Sequence, residues 1–189
     1  EASDCNFLIK AYGNTINGTS VTLNINGFPP HFYVNFPESW SDNMIKNFVK
    51  ILKQKMPFYC KDDITNYDIV KRKKFFGFTN NKNFRFLRLL FKSSKGLYQC
   101  NKLLKNKIKL PGVKETKYEV YESNIPPLLR FFHIQDLFPS GWLRLEPKKY
   151  FINSDSDSNT QLNFKVQWKD VNPIEKPTFL PVVIPLGIM

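Results

Sequence analysis

Apolar and polar positions alternate with a period of two in several short stretches of this chain. Residues 7–12 and 20–25 are runs of β-formers. The loop between them, GNTINGT, holds an Asn-Gly pair and a further Gly, so the pattern predicts a β-hairpin. Gly27-Phe28-Pro29-Pro30 breaks the second strand, and HFYVNF over 31–36 predicts the next, ended by Pro37. A helical period then takes over. Ser39 and Ser41 are N-cap candidates, and Met44, Phe48, Ile51, Leu52 and Met56 share one face while Lys46, Lys50 and Lys53 share the other. Pro57 stops this helix. Strands are expected over 67–78 and 84–91, joined at Asn80-Asn81-Lys82-Asn83. A second helix over 96–107 turns Leu97, Leu103 and Leu104 inward and ends at Pro111-Gly112; a short strand follows over 118–121. Counted from His31, the order is strand, helix, strand, strand, helix, strand. That is the split βαβ, ferredoxin-like order, which RNA-recognition modules share with nucleic acid on their sheet face.

The rest of the chain reads differently. Asn124 is a candidate cap for a helix whose first turn holds Pro126 and Pro127 and whose apolar surface is Leu128, Leu129, Phe131 and Phe132. Strands are expected over 141–145 and 161–168, pairing with the N-terminal hairpin, and SDSDSNT over 154–160 is a polar loop. The expected class is therefore α+β. A ferredoxin-like (RNA-recognition-like) βαββαβ subdomain occupies 31–122, and a small β-rich subdomain is built from both chain ends, 1–30 and 140–180. Residues 123–139 form a helical connection. The apolar run FLPVVIPLGIM begins at Phe179, and its 181–189 portion is expected to enter a sheet of a following domain.

Composition changes this picture little, but charge changes it a good deal. With 189 residues, 42% hydrophobic and 18 of them Phe, the chain can bury a core, which excludes disorder for its bulk. No apolar run reaches the ~18 residues of a membrane-spanning helix. Cys5, Cys60 and Cys100 are odd in number and widely spaced, which suits reduced structural thiols and neither a disulfide framework nor a zinc knuckle. The net charge is +12. Between Lys71 and Lys117 stand fifteen Lys or Arg against one acid, Glu115, a net of +14, so the rest of the chain carries −2. Such a segment attracts polyanions, nucleic acid first and an anionic membrane surface second. A genome rich in A and T also favours Lys and Asn codons, so a solvated lysine surface stays open as a reading.

Familiar catalytic patterns are missing. Gly13 and Gly18 form no phosphate-cradling loop, and no His-Glu helix pair or Gly-x-Ser-x-Gly elbow occurs. Asp62-Asp63 and the loop acids Asp155 and Asp157 read as solvated. No catalytic residue, no metal ligand and no cofactor is assigned within the chain.

Five segments, in order, resemble the family B DNA polymerases of the delta-like and archaeal replicative group. Gly27-Phe28-Pro29-Pro30-His31-Phe32-Tyr33-Val34 resembles their N-terminal GF-x-P-Y-F-Y segment, and Lys73-Lys74-Phe75-Phe76-Gly77-Phe78 their K-K-F-x-G-F strand. Phe84-Arg85-Phe86-Leu87-Arg88-Leu89 is similar to the strand that follows. The stretch 121–132, YESNIPPLLRFF, resembles Y-E-A-N-I-x-F-x-L-R-F, and Gly141-Trp142-Leu143-Arg144-Leu145 resembles G-x-x-W-I-x-L. The resemblance covers nearly the whole chain and stops just before the place of the family's first exonuclease motif, F-D-I-E. It implies the N-terminal domain of a DNA-directed DNA polymerase with 3′–5′ proofreading, contacting single-stranded template and bracing the enzyme, with Mg²⁺ used only by the parent's catalytic domains.

The partners it implies are template and primer-template DNA, the remaining polymerase and exonuclease domains, and a processivity factor, with no membrane. The location it implies is intracellular, in a host nucleus or a viral factory. Candidate phosphate contacts are Lys71, Arg72, Lys73, Lys74, Arg85 and Arg88. Arg130 joins them because, with Pro30, it occupies a position that in some archaeal members lines a pocket for template uracil. His31, Leu97 and Pro127 depart from that pocket's pattern, which argues against uracil sensing. The alternative is a stand-alone single-stranded nucleic-acid-binding module of ferredoxin-like fold.

Overall fold

The computed structural model describes residues 7–74, 82–153, 158–174 and 187–188. It is a mixed α+β structure with several sheets and, among the described residues, three α-helices. The described residues divide into two compact units, one within 29–125, the other made of 7–28 with those from 126 onward.

In chain order, β1 (Ile9–Asn14) and β2 (Ser20–Asn26) form the expected N-terminal hairpin. Gly18, at φ +80°, turns the loop between them. Then come β3 (His31–Asn35), α1 (Asp42–Lys55), a 3-10 turn at Phe58–Cys60, β4 (Ile64–Lys73), β5 (Asn83–Phe91) and α2 (Ser94–Leu104). β6 (Ile108–Leu110), β7 (Val113–Thr116) and β8 (Val120–Tyr121) lead to α3 (Pro127–Ile134). β9 (Trp142–Leu145), β10 (Tyr150–Ile152), β11 (Leu162–Gln167), β12 (Val171–Ile174) and β13 (Gly187–Ile188) complete the described elements.

The unit over 29–125 is a four-stranded antiparallel sheet in the order β4-β5-β3-β8, with its core against α1 and α2. Alternation decides which side chains reach that core. Phe32 and Val34 of β3, and Leu87, Leu89 and Phe91 of β5, point inward beneath Ile45, Phe48, Val49 and Leu52 of α1 and Leu97, Cys100 and Leu104 of α2. Phe48 is fully buried and lies 4.8 Å from Tyr118 and 5.5 Å from Trp40, ring centre to ring centre. Both helices start on serine. The Ser41 hydroxyl accepts the Met44 N–H, and the Ser93 hydroxyl accepts the Gly96 N–H.

Four local expectations are corrected. Helix α2 begins at Ser94, two residues before the expected start, because Ser93 supplies the cap. Pro111-Gly112 marks the turn of the β6–β7 hairpin, where Gly112 takes φ +73°, and the helix has already ended at Leu104. Asn124 does not cap α3. Pro127 restricts Pro126 to an extended conformation, ψ 136°, so the helix can start only at Pro127 itself, with Pro126 at the cap. The expected 67–78 strand starts earlier, at Ile64; its 75–78 portion, and Asn80 and Asn81 of the expected turn, lie outside the described residues.

The second unit holds a five-stranded sheet in the order β10-β11-β2-β1-β13. β11 joins β2 in parallel, bringing sequence-distant segments together. Asn24 and Asn163, both buried, satisfy each other there, Nδ2 donating to Oδ1 at 2.6 Å. β9 does not pair with the hairpin as expected; it pairs with β12 in a separate two-stranded sheet. Gly187–Ile188, expected in a sheet of a following domain, pairs with β1 at Ala11 and Tyr12. The core gathers Phe28, Phe131, Ile9, Ile25, Leu137, Val166 and Val171. Cys5, Asp155, Asp157 and most of the C-terminal apolar run lie outside the described residues.

Candidate nucleic-acid interface

Strand alternation that sends Phe32, Val34, Leu87 and Leu89 under the helices sends their neighbours to the opposite sheet face. The register fixes which ones meet there. Tyr33 lies opposite Arg88 on one side and Tyr121 on the other, and Arg88 lies opposite Asp68; Val70 pairs with Phe86 and Arg72 with Phe84. Phe86 and Tyr121 contact edge to face at 5.2 Å. Lys74 Nζ sits 4.8 Å above the Phe84 ring and 5.9 Å from that of Tyr121. Of this face, Tyr33, Arg72, Lys74, Tyr121 and the buried Phe86 line a cavity of about 310 Å³ together with Lys73 and Glu122. Aromatic walls with cations at the rim are the chemistry that accepts an unpaired base and its phosphate.

The seven sequence-based candidates fare unequally as phosphate ligands. Arg88 Nε donates to Asp68 Oδ1 at 2.8 Å and its Nη2 donates to Asp68 Oδ2, a two-point pair. That bond to Asp68 is the main reason the guanidinium pKa is raised further. Arg85 Nη1 donates to the backbone carbonyls of Glu38 and Trp40, its Nη2 lies 3.8 Å from Asp42, and its guanidinium stacks over Phe36 at 5.2 Å. Both arginines engage protein acceptors with the groups a phosphate would use. Arg130 is only 6% exposed, in the core-bearing helix α3. Lys74 stands 3.7 Å from Glu119. Lys71, Arg72 and Lys73 are exposed on β4.

Glu119 balances this rim. It accepts hydrogen bonds from Asn35 Nδ2 at 3.0 Å and from Tyr121 Oη at 2.9 Å, which with nearby Lys74 hold its carboxyl below the usual range. Burial, then the bond to Glu119, pushes the Tyr121 phenol up, so it stays a neutral donor. Tyr33, Phe86 and Tyr121 are not among the sequence-based candidates. Their signal is present, since they alternate with core residues on three strands, but only the register shows that they meet. No group of three or more His, Cys, Asp or Glu among the described residues could hold a metal ion.

Comparison with known proteins adds an independent line. A family model described as DNA polymerase family B, exonuclease domain, matches residues 118–183. The DNA polymerase of Acanthamoeba polyphaga mimivirus is 34% identical over 88% of this chain and 10% of its own length. The DNA polymerase delta catalytic subunit of Arabidopsis thaliana is 25% identical over 87% of this chain and 15% of its own. The chain thus spans a small part of the relatives it matches. A family B DNA polymerase from the archaeon Pyrobaculum calidifontis superposes with a TM-score of 0.56 at 16% identity, over 88% of this chain and 18% of that one, a likeness of fold.

Proposed function

The chain belongs to the family B DNA polymerases, and from that premise we propose that it is the N-terminal, template-side part of a DNA-directed DNA polymerase that also proofreads. The carrying observation is the 34% identity to the mimivirus polymerase across 88% of the chain. The parent enzyme is a nucleotidyltransferase working through divalent metal, Mg²⁺, bound by carboxylates elsewhere in the enzyme. No catalytic step is assigned to this chain.

Its own contribution is binding and bracing. The exposed stretch 71–73 of β4, beside the aromatic cavity, supports contact with single-stranded template: cations follow the backbone while rings offer stacking faces. We read the β4-β5-β3-β8 sheet with α1 and α2 as a ferredoxin-like subdomain over 31–122, with the β6–β7 hairpin inserted before its last strand. The subdomain from both chain ends, the helical connection over 123–139 and the lead-in strand toward an exonuclease domain complete the proposed organisation. The proposed partners are primer-template DNA, the remaining polymerase domains and a processivity factor; the proposed location is a host nucleus or a viral factory. No helix among the described residues is long and apolar enough to cross a membrane.

The test is a pair of assays on the purified 189-residue chain. It should bind fluorescent oligo(dT), with affinity falling as salt rises, and it should not extend a primed template in Mg²⁺. Turnover, or no binding at low salt, would overturn the reading.

A further inference from the structure

The sheet-face strands account for only part of the positive charge. Between Lys92 and Lys117 stand eight lysines and one acid, Glu115. Helix α2 runs through the start of that segment and contains no acid. Its inward face is Gly96, Leu97, Cys100 and Leu104. Its outward face carries Lys95, Tyr98 and Lys102, with Lys105 at the C-cap, all exposed. The spacing i, i+3, i+7 and i+10 keeps these four within one stripe of a 3.6-residue helix, each step rising about 5 Å.

A second element extends the stripe. The 3-10 turn at Phe58–Cys60 packs against α2, and Lys95 Nζ lies 4.4 Å over the Tyr59 ring. Phe58 is 96% exposed, Tyr59 60% and Tyr98 63%. Nearby Asp63 is engaged by the Ser93 hydroxyl at the α2 cap. The surface therefore sets cations beside exposed rings, on elements whose other sides are buried.

We infer that this α2 stripe, with Tyr59 and Phe58, is a second track for single-stranded nucleic acid, distinct from the sheet-face cavity. Charge complementarity selects a polyanion. Rings select unpaired bases, because a duplex offers no exposed base face for stacking. An acidic protein segment would satisfy the lysines and leave three aromatic faces without a flat partner. The inference rests on the proposed function only in taking nucleic acid as the ligand.

The experiment measures fluorescent oligo(dT) binding to the 189-residue chain by anisotropy over a series of salt concentrations, for wild type, Tyr98→Ala, Tyr98→Phe, Lys102→Gln and Arg72→Gln. Tyr98 is exposed and alanine is the better helix former, so the fold should persist, as far-UV circular dichroism will report. Tyr98→Ala should weaken binding roughly 5- to 150-fold, the range for losing one stacked base, with an unchanged salt slope. Tyr98→Phe should keep wild-type affinity. Lys102→Gln should reduce the slope of log K against log salt by about 0.7, one phosphate on a single strand. Ultraviolet cross-linking should attach the oligonucleotide to Tyr59 or Tyr98. Wild-type affinity in Tyr98→Ala would overturn the inference, as would polyglutamate displacing oligo(dT) equally well from wild type and Tyr98→Ala. Loss confined to Arg72→Gln would sink this track and leave the sheet-face reading standing. Failure of the wild type to bind would remove both.

Discussion

Arg88 and Arg72 face the same side of the same sheet, yet they should behave oppositely when their charge is removed. Arg88 gives two hydrogen bonds to Asp68, while Arg72 is exposed at the mouth of the aromatic cavity. A cation whose donors already meet a carboxylate releases no counterion from a phosphate. Arg88→Gln should therefore leave the salt dependence of oligo(dT) binding unchanged, while Arg72→Gln should lower the slope by about 0.7. Over a fourfold change in salt, that missing contact alters the affinity ratio about 2.6-fold. Stability should move the other way. The Arg88 and Asp68 side chains are 31% and 43% exposed, so solvent screens the pair and its loss should cost only about 0.2–1 kcal/mol. For a chain this long, each kcal/mol lowers the melting temperature by roughly 2–4 °C, so Arg88→Gln should melt at most a few degrees below wild type and Arg72→Gln should match it. Anisotropy titrations at four salt concentrations, with thermal melts of the same samples, read both quantities. Equal slope losses for the two variants, with no change in melting for Arg88→Gln, would show that the Asp68–Arg88 pair does not form in solution and would refute the reasoning.

Other outcomes follow from named contacts. A Cβ on Gly96 would meet the Asp63 side chain, 2.8 Å from its Cγ, so Gly96→Ala should destabilise by about 1–3 kcal/mol despite alanine's better helix propensity; chemical denaturation checks this. Glu119 has a folded pKa below its ordinary value of 4.5, so the folded state binds fewer protons than the unfolded state as that carboxyl titrates. Its stabilising contribution should be complete above about pH 4.5 and vanish as pH falls through the depressed value, and Glu119→Gln should flatten the melting profile in that acid window. Cys100 is fully buried and desolvation pushes its thiol pKa up, so it should stay unlabelled by iodoacetamide in the native chain at pH 8 and react on unfolding.

Much of this protein was legible one residue at a time. The 3.6-residue spacing of Phe48 and Leu52 marks α1, the Asn-Gly loop marks the first hairpin, and alternation over 84–91 marks β5, because periodicity and turn chemistry are local properties of a chain. The density of lysines between 71 and 117 is likewise sequence information and points toward polyanions before any coordinate is known. The sequence also carries the family resemblance, since motif order survives where overall identity is low.

What the tertiary structure decided is pairing. Pro111-Gly112 reads equally well as a helix stop or a hairpin turn, and only β6 meeting β7 separates the two. Asn124 has the chemistry of a cap, but two successive prolines move the helix start past it. Seven basic residues looked alike in the sequence; Asp68, Glu119 and the carbonyls of Glu38 and Trp40 distinguish them by occupying some of their donors. Asp68 lies twenty positions from Arg88, and Glu119 forty-five from Lys74. A charge is a local fact, but whether it remains available to a ligand depends on which distant side chain the fold brings beside it.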